Sequence, residues 1–475
     1  MSLRWAMVVA AVVGTLAAAA GIEVRATYGA QVTADEPQYL LTAISLAEDG
    51  DLDVSDEIAT RSYAPFHEIT VDRQTQPLAD GSEVSPHDPL LPAILAVPME
   101  VGGWRAAKLT LAAINGALGA ALVWLCVFRF RCRPAIAALV VSAFVASAPF
   151  AVYGNQVYPE IVAALAVTLA IASLTSGGGT VATAGLAASV IVLPWLSIKY
   201  VPVAAALALV GMVRLIRARD ARRLLWLAGG LTAGGAVYAI AHVAWYGGLT
   251  PYAAGDHFVS TGEFSVVGTD VDLVGRSRRL VGLLVDDRFG LIPWQPAFLL
   301  LAPALGALFR RSLDRTALLV PLCVGWITAT WIALTMQGWW WPGRQVVVVL
   351  PCAVIAIAAW TSGGPRRSFA FAALAGVGVT TYLWLVVEGL QGGLTWVVDF
   401  FETSNPLYRA LSSVMPDYLN VDASTWILQT LWLVLLAGLG YWGYRNEAQP
   451  PEAMKSIHRG TTPAPAGVER ITTRR

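Results

Sequence analysis

Long apolar runs recur along almost the whole of this 475-residue chain. A run of about 18 or more apolar residues is long enough to cross the hydrocarbon core of a bilayer as a helix. Only 13% of the residues are charged, whereas soluble domains carry about 25%. The sequence therefore predicts an all-α polytopic membrane protein with about twelve spans. The predicted spans are 4–22, 105–128, 134–150, 159–175, 180–197, 200–213, 224–244, 291–309, 316–336, 346–360, 369–390 and 426–444.

The distribution of charge predicts which face is which. Cytoplasmic loops of membrane proteins carry an excess of Lys and Arg, and the Arg-rich turns at 129–133 and 214–223 alternate with acidic loops. We therefore predict a plasma-membrane protein with both termini in the cytoplasm, a membrane domain over 1–445 and a polar, disordered cytoplasmic tail over 446–475. The three long external loops are then 23–104, 245–292 and 391–425. Chemistry is expected on this external face, where the acidic residues cluster.

The segment after the first span carries the most informative motif, TADEPQYL at residues 33–40. Apolar residues follow at helical spacing up to Gly50, which predicts an amphipathic helix along the membrane surface. Thr33 and Glu36 match a capping box, so Glu36 has a structural explanation. Asp35 has none, and an Asp at a helix N-terminus stays ionised, as a general base must. A structural and a catalytic role both remain open for this pair.

An Asp-Glu pair that opens a helix in a long first external loop resembles the GT-C glycosyltransferases. Within that fold the chain is most similar to the branch of the protein O-mannosyltransferases and lipid A aminoarabinose transferases, whose Asp-Glu-x-x-Tyr element resembles Asp35, Glu36 and Tyr39. The resemblance implies a GT-C fold with amphipathic juxtamembrane helices in the long first loop. It also implies an inverting glycosyltransferase that uses a polyprenyl-phosphate sugar, with Asp35 as the base at the acceptor hydroxyl.

Further segments resemble the family in the same order along the chain. HDPLLP at 87–92 precedes a short apolar stretch similar to the family's second juxtamembrane helix. YPE at 158–160 opens the fourth predicted span, where the family often supplies another carboxylate. The resemblance thus implies residues that orient the acceptor or a metal, which are Glu36, Glu160, Tyr39, His87 and Asp88.

Three basic residues are candidates for holding the donor phosphate. Lys199 ends the segment LPWLSIK and Arg344 ends GWWWPGR; both segments resemble family elements at outer helix ends, although interfacial anchoring explains both cations as well. Arg288 belongs to a basic cluster on the face where the positive-inside bias depletes such residues. An anionic lipid partner would explain that cluster, and so would pairing with the aspartates close by.

The implied chemistry explains why these residue types are needed. A sugar on a polyprenyl phosphate already has a good leaving group, so the enzyme needs a carboxylate to accept the acceptor proton and cations to hold the phosphate. The sequence identifies no cofactor with certainty, and a divalent metal at Asp35 and Glu160 stays open. The Asp-x-Asp at 51–53 is interpreted as a solvated loop, with calcium as the alternative.

The expected partners are a polyprenyl-phosphate sugar, an extracytoplasmic glycan, lipid or protein acceptor, and the lipid bilayer. No nucleic-acid partner is expected. Two other classes stay open, a multi-pass lipid or solute transporter or flippase, and a non-catalytic scaffold. A transporter would place charged residues in the middle of the membrane, whereas the predicted spans hold few ionisable residues away from their ends.

Overall fold

The computed structural model describes residues 1–268, 271–311 and 313–447, so the predicted tail lies outside the described residues from position 448 onward. The described chain is all-α: it forms nineteen α-helices, and its β-type pairing is limited to isolated bridges. The helices are α1 Leu3–Ala20, α2 Glu36–Glu48, α3 Ser55–Thr60, α4 Leu90–Phe128, α5 Pro134–Val145, α6 Phe150–Tyr153, α7 Glu160–Leu174, α8 Thr180–Leu196, α9 Val201–Arg217, α10 Ala221–Tyr246, α11 Leu273–Arg276, α12 Arg279–Val285, α13 Leu291–Trp294, α14 Leu301–Leu308, α15 Arg315–Ile327, α16 Leu350–Thr361, α17 Pro365–Leu390, α18 Pro406–Ser412 and α19 Ala423–Arg445.

The apolar helices agree with the predicted spans. Among the described residues, seven helical segments are long and apolar enough to cross a membrane, and they contain α1, α4, α9, α10, α15, α17 and α19. Five shorter apolar segments, which contain α5, α7, α8, α14 and α16, coincide with the remaining predicted spans. The short α16 is buried at every position, because neighbouring helices surround it. The prediction of a polytopic, all-α membrane protein is confirmed.

Helix α4 consists of two helical segments joined by a kink at Gly102 and Gly103. Gly103 has φ +63°, which favours glycine because it has no Cβ. The segment before the kink begins at Leu90, inside the predicted loop 23–104, and corresponds to the predicted second juxtamembrane helix. The segment after the kink is the predicted span 105–128.

Helix α2 is more enclosed than a helix that merely lies on a membrane surface. Every residue from Glu36 to Ala43 is buried, and the helix packs against α4. The side-chain amide of Gln38 also donates to the backbone carbonyl of Asp72, in the loop between α3 and α4, at 3.0 Å. Because its first turn is fixed on several sides, α2 holds the N-cap residue Asp35 at a defined place.

Candidate active site

Four charged side chains from distant parts of the chain meet beside the N-terminus of α2. Arg344 donates through Nη2 to Asp35 Oδ2 at 2.6 Å and through Nε to Glu160 Oε1 at 3.2 Å. Lys199 Nζ donates to the same Glu160 oxygen at 2.7 Å. The structure thus brings together the predicted base, the predicted second carboxylate and two of the three predicted phosphate-binding cations.

Local sequence explains how each of these side chains is placed. Glu160 is the first residue of α7, where the helix dipole favours an acid. Lys199 lies in the 3-10 turn Ile198–Tyr200 between α8 and α9. Arg344 follows Gly343, which has φ +87° and whose added Cβ would lie 2.8 Å from a Leu291 methyl group. A residue other than glycine at position 343 would therefore displace Arg344.

Aromatic rings enclose the Arg344 guanidinium. Its Cζ lies 4.1 Å from the ring centroid of Tyr158 and 5.0 Å from that of Trp340. A cation over a ring face gains up to about 2 kcal/mol when water is excluded. The guanidinium is therefore held by two carboxylates and two rings, and its side chain is only 9% exposed.

The two carboxylates that bind Arg344 differ in solvent exposure. The Asp35 side chain is 24% exposed, whereas that of Glu160 is fully buried. Within the described residues, the second oxygen of Asp35 has a single long contact of 3.4 Å, from the amide of Gln74. Asp35 is therefore the carboxylate that a ligand from outside can reach, while Glu160 holds the two cations in place.

The electrostatic surroundings keep Asp35 ionised. Burial is the largest single influence and would raise the pKa of its carboxyl group, but the charge and hydrogen bond of Arg344 together with the charges of His87 and Lys199 outweigh burial. The net result is a pKa well below the ordinary value for Asp. The sequence-based expectation of an ionised Asp35 therefore agrees with its surroundings.

Glu36 has a structural position, although not through the predicted capping box. The N-cap residue of α2 is Asp35 rather than Thr33, and no side chain caps the helix. Only half of the box forms, in which Glu36 Oε2 accepts the Thr33 N–H at 3.0 Å. Its other oxygen accepts the Val157 N–H at 2.7 Å. Glu36 therefore fastens the start of α2 to the turn that precedes Glu160.

His87 and Tyr39 border the cluster on another side. Their rings stack with centroids 4.6 Å apart. His87 Nε2 lies 3.1 Å from Gln74 Oε1, and the amide nitrogen of Gln74 faces Asp35, so Gln74 connects the two residues. Burial is the largest influence on His87 and lowers its pKa despite the nearby Asp35 charge.

Asp88 lies behind the cluster rather than in it. One of its oxygens accepts from the Tyr238 hydroxyl at 2.8 Å and lies 3.0 Å from His242 Nε2. The other accepts the Ile198 N–H at 2.8 Å. Since Ile198 precedes Lys199 in the same turn, Asp88 acts as a positioning residue for Lys199. The predicted direct role at the acceptor is not supported by these contacts.

We expect Asp88→Ala to lower the free energy of unfolding by about 3 kcal/mol or more, because it leaves three buried hydrogen-bond donors without an acceptor. The freed turn should also misplace Lys199, so binding of an anion beside Lys199 should weaken. Thermal unfolding of the purified protein and titration with inorganic phosphate measure both effects. Asp80→Ala, at an exposed carboxylate of the same loop, is the control. Equal stability of the two variants would contradict this role of Asp88.

Arg288 lies apart from the other predicted cations. Its guanidinium is 3.7 Å from Asp287 and 4.4 Å from the ring centroid of Phe401. Within residues 1–268, 271–311 and 313–447, its side chain has no hydrogen bond or ion pair to Asp35, Glu160 or Arg344. The alternative explanation for this residue, pairing with a nearby aspartate, is what the structure shows.

Sequence reasoning missed the residues that support the site. Gln74 gave no signal, because a single glutamine in a long polar loop is unremarkable. The partners of Asp88 on α10, Tyr238 and His242, could have been found from the sequence. Together with Tyr246 they recur at intervals of four in an apolar span, which places three polar aromatic residues on one helix face. Their rings stack along one face of α10.

The donor set around Asp35 and Glu160 does not suit a divalent metal. Both carboxylates are neutralised by cationic side chains, and a metal would have to displace Arg344 or Lys199 to reach them. The group of carboxylates with metal-ligand spacing in the described part of the chain is elsewhere, at Asp49, Asp56 and Glu57. The arrangement at Asp35 is instead suited to binding an anion between two cations beside a free carboxylate oxygen.

The helical architecture and the position of this cluster define a polytopic membrane protein of the GT-C fold. The chain is similar to the crystal structure of ArnT from Cupriavidus metallidurans bound to undecaprenyl phosphate, with 13% sequence identity and a TM-score of 0.51. The match covers 93% of this chain and 78% of that one, which confirms the fold expected from the sequence motifs. No protein-family model matches the chain, and no curated protein matches it at a significant level.

Proposed function

We propose that the chain is an integral membrane glycosyltransferase that moves a sugar from a polyprenyl-phosphate donor to an external acceptor. One observation carries this proposal. A partly exposed carboxylate, Asp35, lies beside two cations, Arg344 and Lys199, at the start of a juxtamembrane helix. Such a site can accept a proton and hold a phosphate at the same place, which is what this transfer requires.

The proposed reaction is a single displacement with inversion. Asp35 accepts the proton of the acceptor hydroxyl while the hydroxyl oxygen attacks the anomeric carbon. The bond from that carbon to the phosphate oxygen breaks, and its electron pair leaves with the polyprenyl phosphate. Arg344 and Lys199 stabilise the charge that develops on this oxygen. A general acid is unnecessary because the departing phosphate is already a stable anion.

The ArnT structure supports the donor class, because that protein is bound to undecaprenyl phosphate. The acceptor we propose is a cell-envelope glycan, a lipid or a protein with an exposed hydroxyl. We further propose that both termini are cytoplasmic and that the site opens on the outer face of the plasma membrane. The excess of basic residues in alternate loops supports this orientation.

The proposal is tested with purified protein in proteoliposomes that contain synthetic polyprenyl-phosphate sugars. The expected result is sugar transfer to an added acceptor with stoichiometric release of polyprenyl phosphate. A panel of donors that differ only in the sugar identifies the one used. Movement of lipid across the bilayer without any sugar transfer would contradict the proposal and favour the transporter alternative.

We expect Lys199→Ala to weaken donor binding about tenfold or more, since a hydrogen bond to a charged group contributes about 1.5–3 kcal/mol. The effect should appear in both the donor KM and kcat, because Lys199 holds the phosphate and also stabilises the charge that develops on it. Arg288→Ala is the matched comparison, since within the described residues Arg288 has no hydrogen bond or ion pair to the cluster. Donor affinity of both variants is measured by titration with polyprenyl phosphate. An effect of Arg288→Ala as large as that of Lys199→Ala would extend the donor site to Arg288.

A further inference from the structure

Three acidic side chains meet where α2 ends and α3 begins, away from the candidate active site. Asp49 is the residue after the last turn of α2, and Asp56 and Glu57 lie in the first turn of α3. Each offers a carboxylate oxygen, and these oxygens all lie within 4.8 Å of one another. Like charges this close repel each other unless a cation or a proton lies among them.

Glu57 distinguishes this group from an ordinary acidic surface. The residue is only 3% exposed, and both of its carboxylate oxygens are buried without a hydrogen-bond partner. Over the described ranges, none of the three acids forms an ion pair with a Lys, Arg or His. A buried carboxylate without a partner is costly, so the position of Glu57 calls for a cation or a proton among the three acids.

The neighbouring acids of the same run are explained by the fold. Asp51 Oδ1 accepts from the Ser45 hydroxyl at 2.9 Å and from the Asp53 N–H at 3.0 Å. Asp53 Oδ1 accepts the N–H groups of Ser55 and Glu83 at 3.0 and 2.9 Å. The Asp-x-Asp pattern in the sequence therefore caps turns, and the unexplained carboxylate is the later residue Glu57.

We propose that Asp49, Asp56 and Glu57 form a binding site for a calcium ion, which is empty here. Calcium–oxygen distances are about 2.3–2.6 Å, so two ligands on opposite sides of one ion lie about 5 Å apart or less. The separations within this group satisfy that limit. Asp49 and Asp56 are exposed, so water and backbone carbonyls can complete the six to eight oxygen ligands that calcium takes. Magnesium suits the site less, since it requires stricter octahedral geometry.

The ion would have a structural role in the first loop. Helix α2 begins beside Asp35 and ends at this group, so a bound ion would fasten its far end to α3. The calcium proposal does not depend on the proposed transferase activity, because ion binding and chemistry use different residues. It can therefore be tested by binding alone.

The test is a calcium titration of the full chain in lipid nanodiscs by isothermal titration calorimetry. The expected result is one calcium ion per chain. Glu57→Gln keeps the shape of the side chain and should weaken calcium binding about tenfold or more, as loss of a ligand or its support does in other sites. Asp80→Asn, at an exposed carboxylate of the same loop that bonds Ser82, should bind calcium as the native chain does.

A second measurement covers the case in which Glu57→Gln folds poorly. Calcium chloride should raise the melting temperature of the native chain and of Asp80→Asn, and EDTA should reverse the shift. Glu57→Gln should show a smaller calcium-dependent rise in melting temperature, because it binds the ion more weakly. The proposal is overturned if the native chain binds no calcium, which would indicate that a proton alone resolves the repulsion. It is also overturned if Glu57→Gln binds the ion like the native chain, because Glu57 would then not be a ligand.

Discussion

Asp35→Asn should reduce sugar transfer about 10²- to 10⁴-fold, the usual contribution of a positioned general base. The amide has the same shape as the carboxylate, and its oxygen can still accept the hydrogen bond from Arg344. Arg344 would keep Glu160 as a counter-ion, so expression should stay normal, and thermal stability should fall less than in Arg344→Gln. Because Asp35 acts on the acceptor proton, the loss should appear in kcat, while the donor KM stays unchanged or falls.

The pH profile provides a second measurement on Asp35. The pKa of this carboxyl is held below its ordinary value, so the group becomes protonated only in more acidic solution than a free Asp, whose pKa is about 3.9. The native chain should thus keep kcat/KM constant from pH 7 down to pH 5 as far as this residue is concerned. The control variant for Asp35→Asn is Asp72→Asn, which changes an exposed carboxylate of the same loop. Transfer by Asp35→Asn at a near-native rate with normal expression would remove the assignment of the base.

Arg344→Gln should damage both stability and activity. Removing one partner of a buried ion pair costs about 3–5 kcal/mol, because the remaining charge is left without compensation. Asp35 would lose its cation, whereas Glu160 would retain Lys199. The donor phosphate would also lose its main ligand. We therefore expect a lower melting temperature in nanodiscs and no measurable binding of polyprenyl phosphate.

A double variant separates these two effects of Arg344→Gln. Adding Asp35→Asn removes the stranded charge, so the double variant should be more stable than Arg344→Gln alone and should still fail to bind the phosphate. Arg25→Gln breaks an exposed pair with Glu68 at 2.8 Å and should change stability by less than about 1 kcal/mol. If Arg344→Gln is no less stable than Arg25→Gln, the buried charge cluster does not stabilise the fold.

The membrane architecture could be predicted from the sequence because each apolar run identifies a span without knowledge of its neighbours. The presence of α2 was predictable for a similar reason, but its start was not, because Thr33 and Glu36 matched a capping box whereas Asp35 is the N-cap residue. The bounds of α4 were not, because the kink depends on a glycine pair inside an otherwise continuous apolar pattern.

The residues of the candidate site could be predicted only where they belong to a recognisable motif. Asp35, Glu160, Lys199 and Arg344 each did, although nothing in the sequence pairs Arg344 with an aspartate 309 residues earlier. Asp88 also stood in a motif, but its partners Tyr238 and His242 are on α10, and only the packing of that helix reveals that Asp88 supports a turn. Contacts between distant elements decide such roles.

The shared position of Arg344 has a consequence for the order in which substrates bind. In the free protein one guanidinium neutralises two carboxylates, so an arriving phosphate, as we propose, competes with Asp35 for the same cation. When the donor phosphate binds Arg344, the ion pair between Arg344 and Asp35 weakens, and Asp35 becomes more basic. The carboxylate would become an effective base only once the donor is in place. The donor would therefore bind before the acceptor hydroxyl is activated.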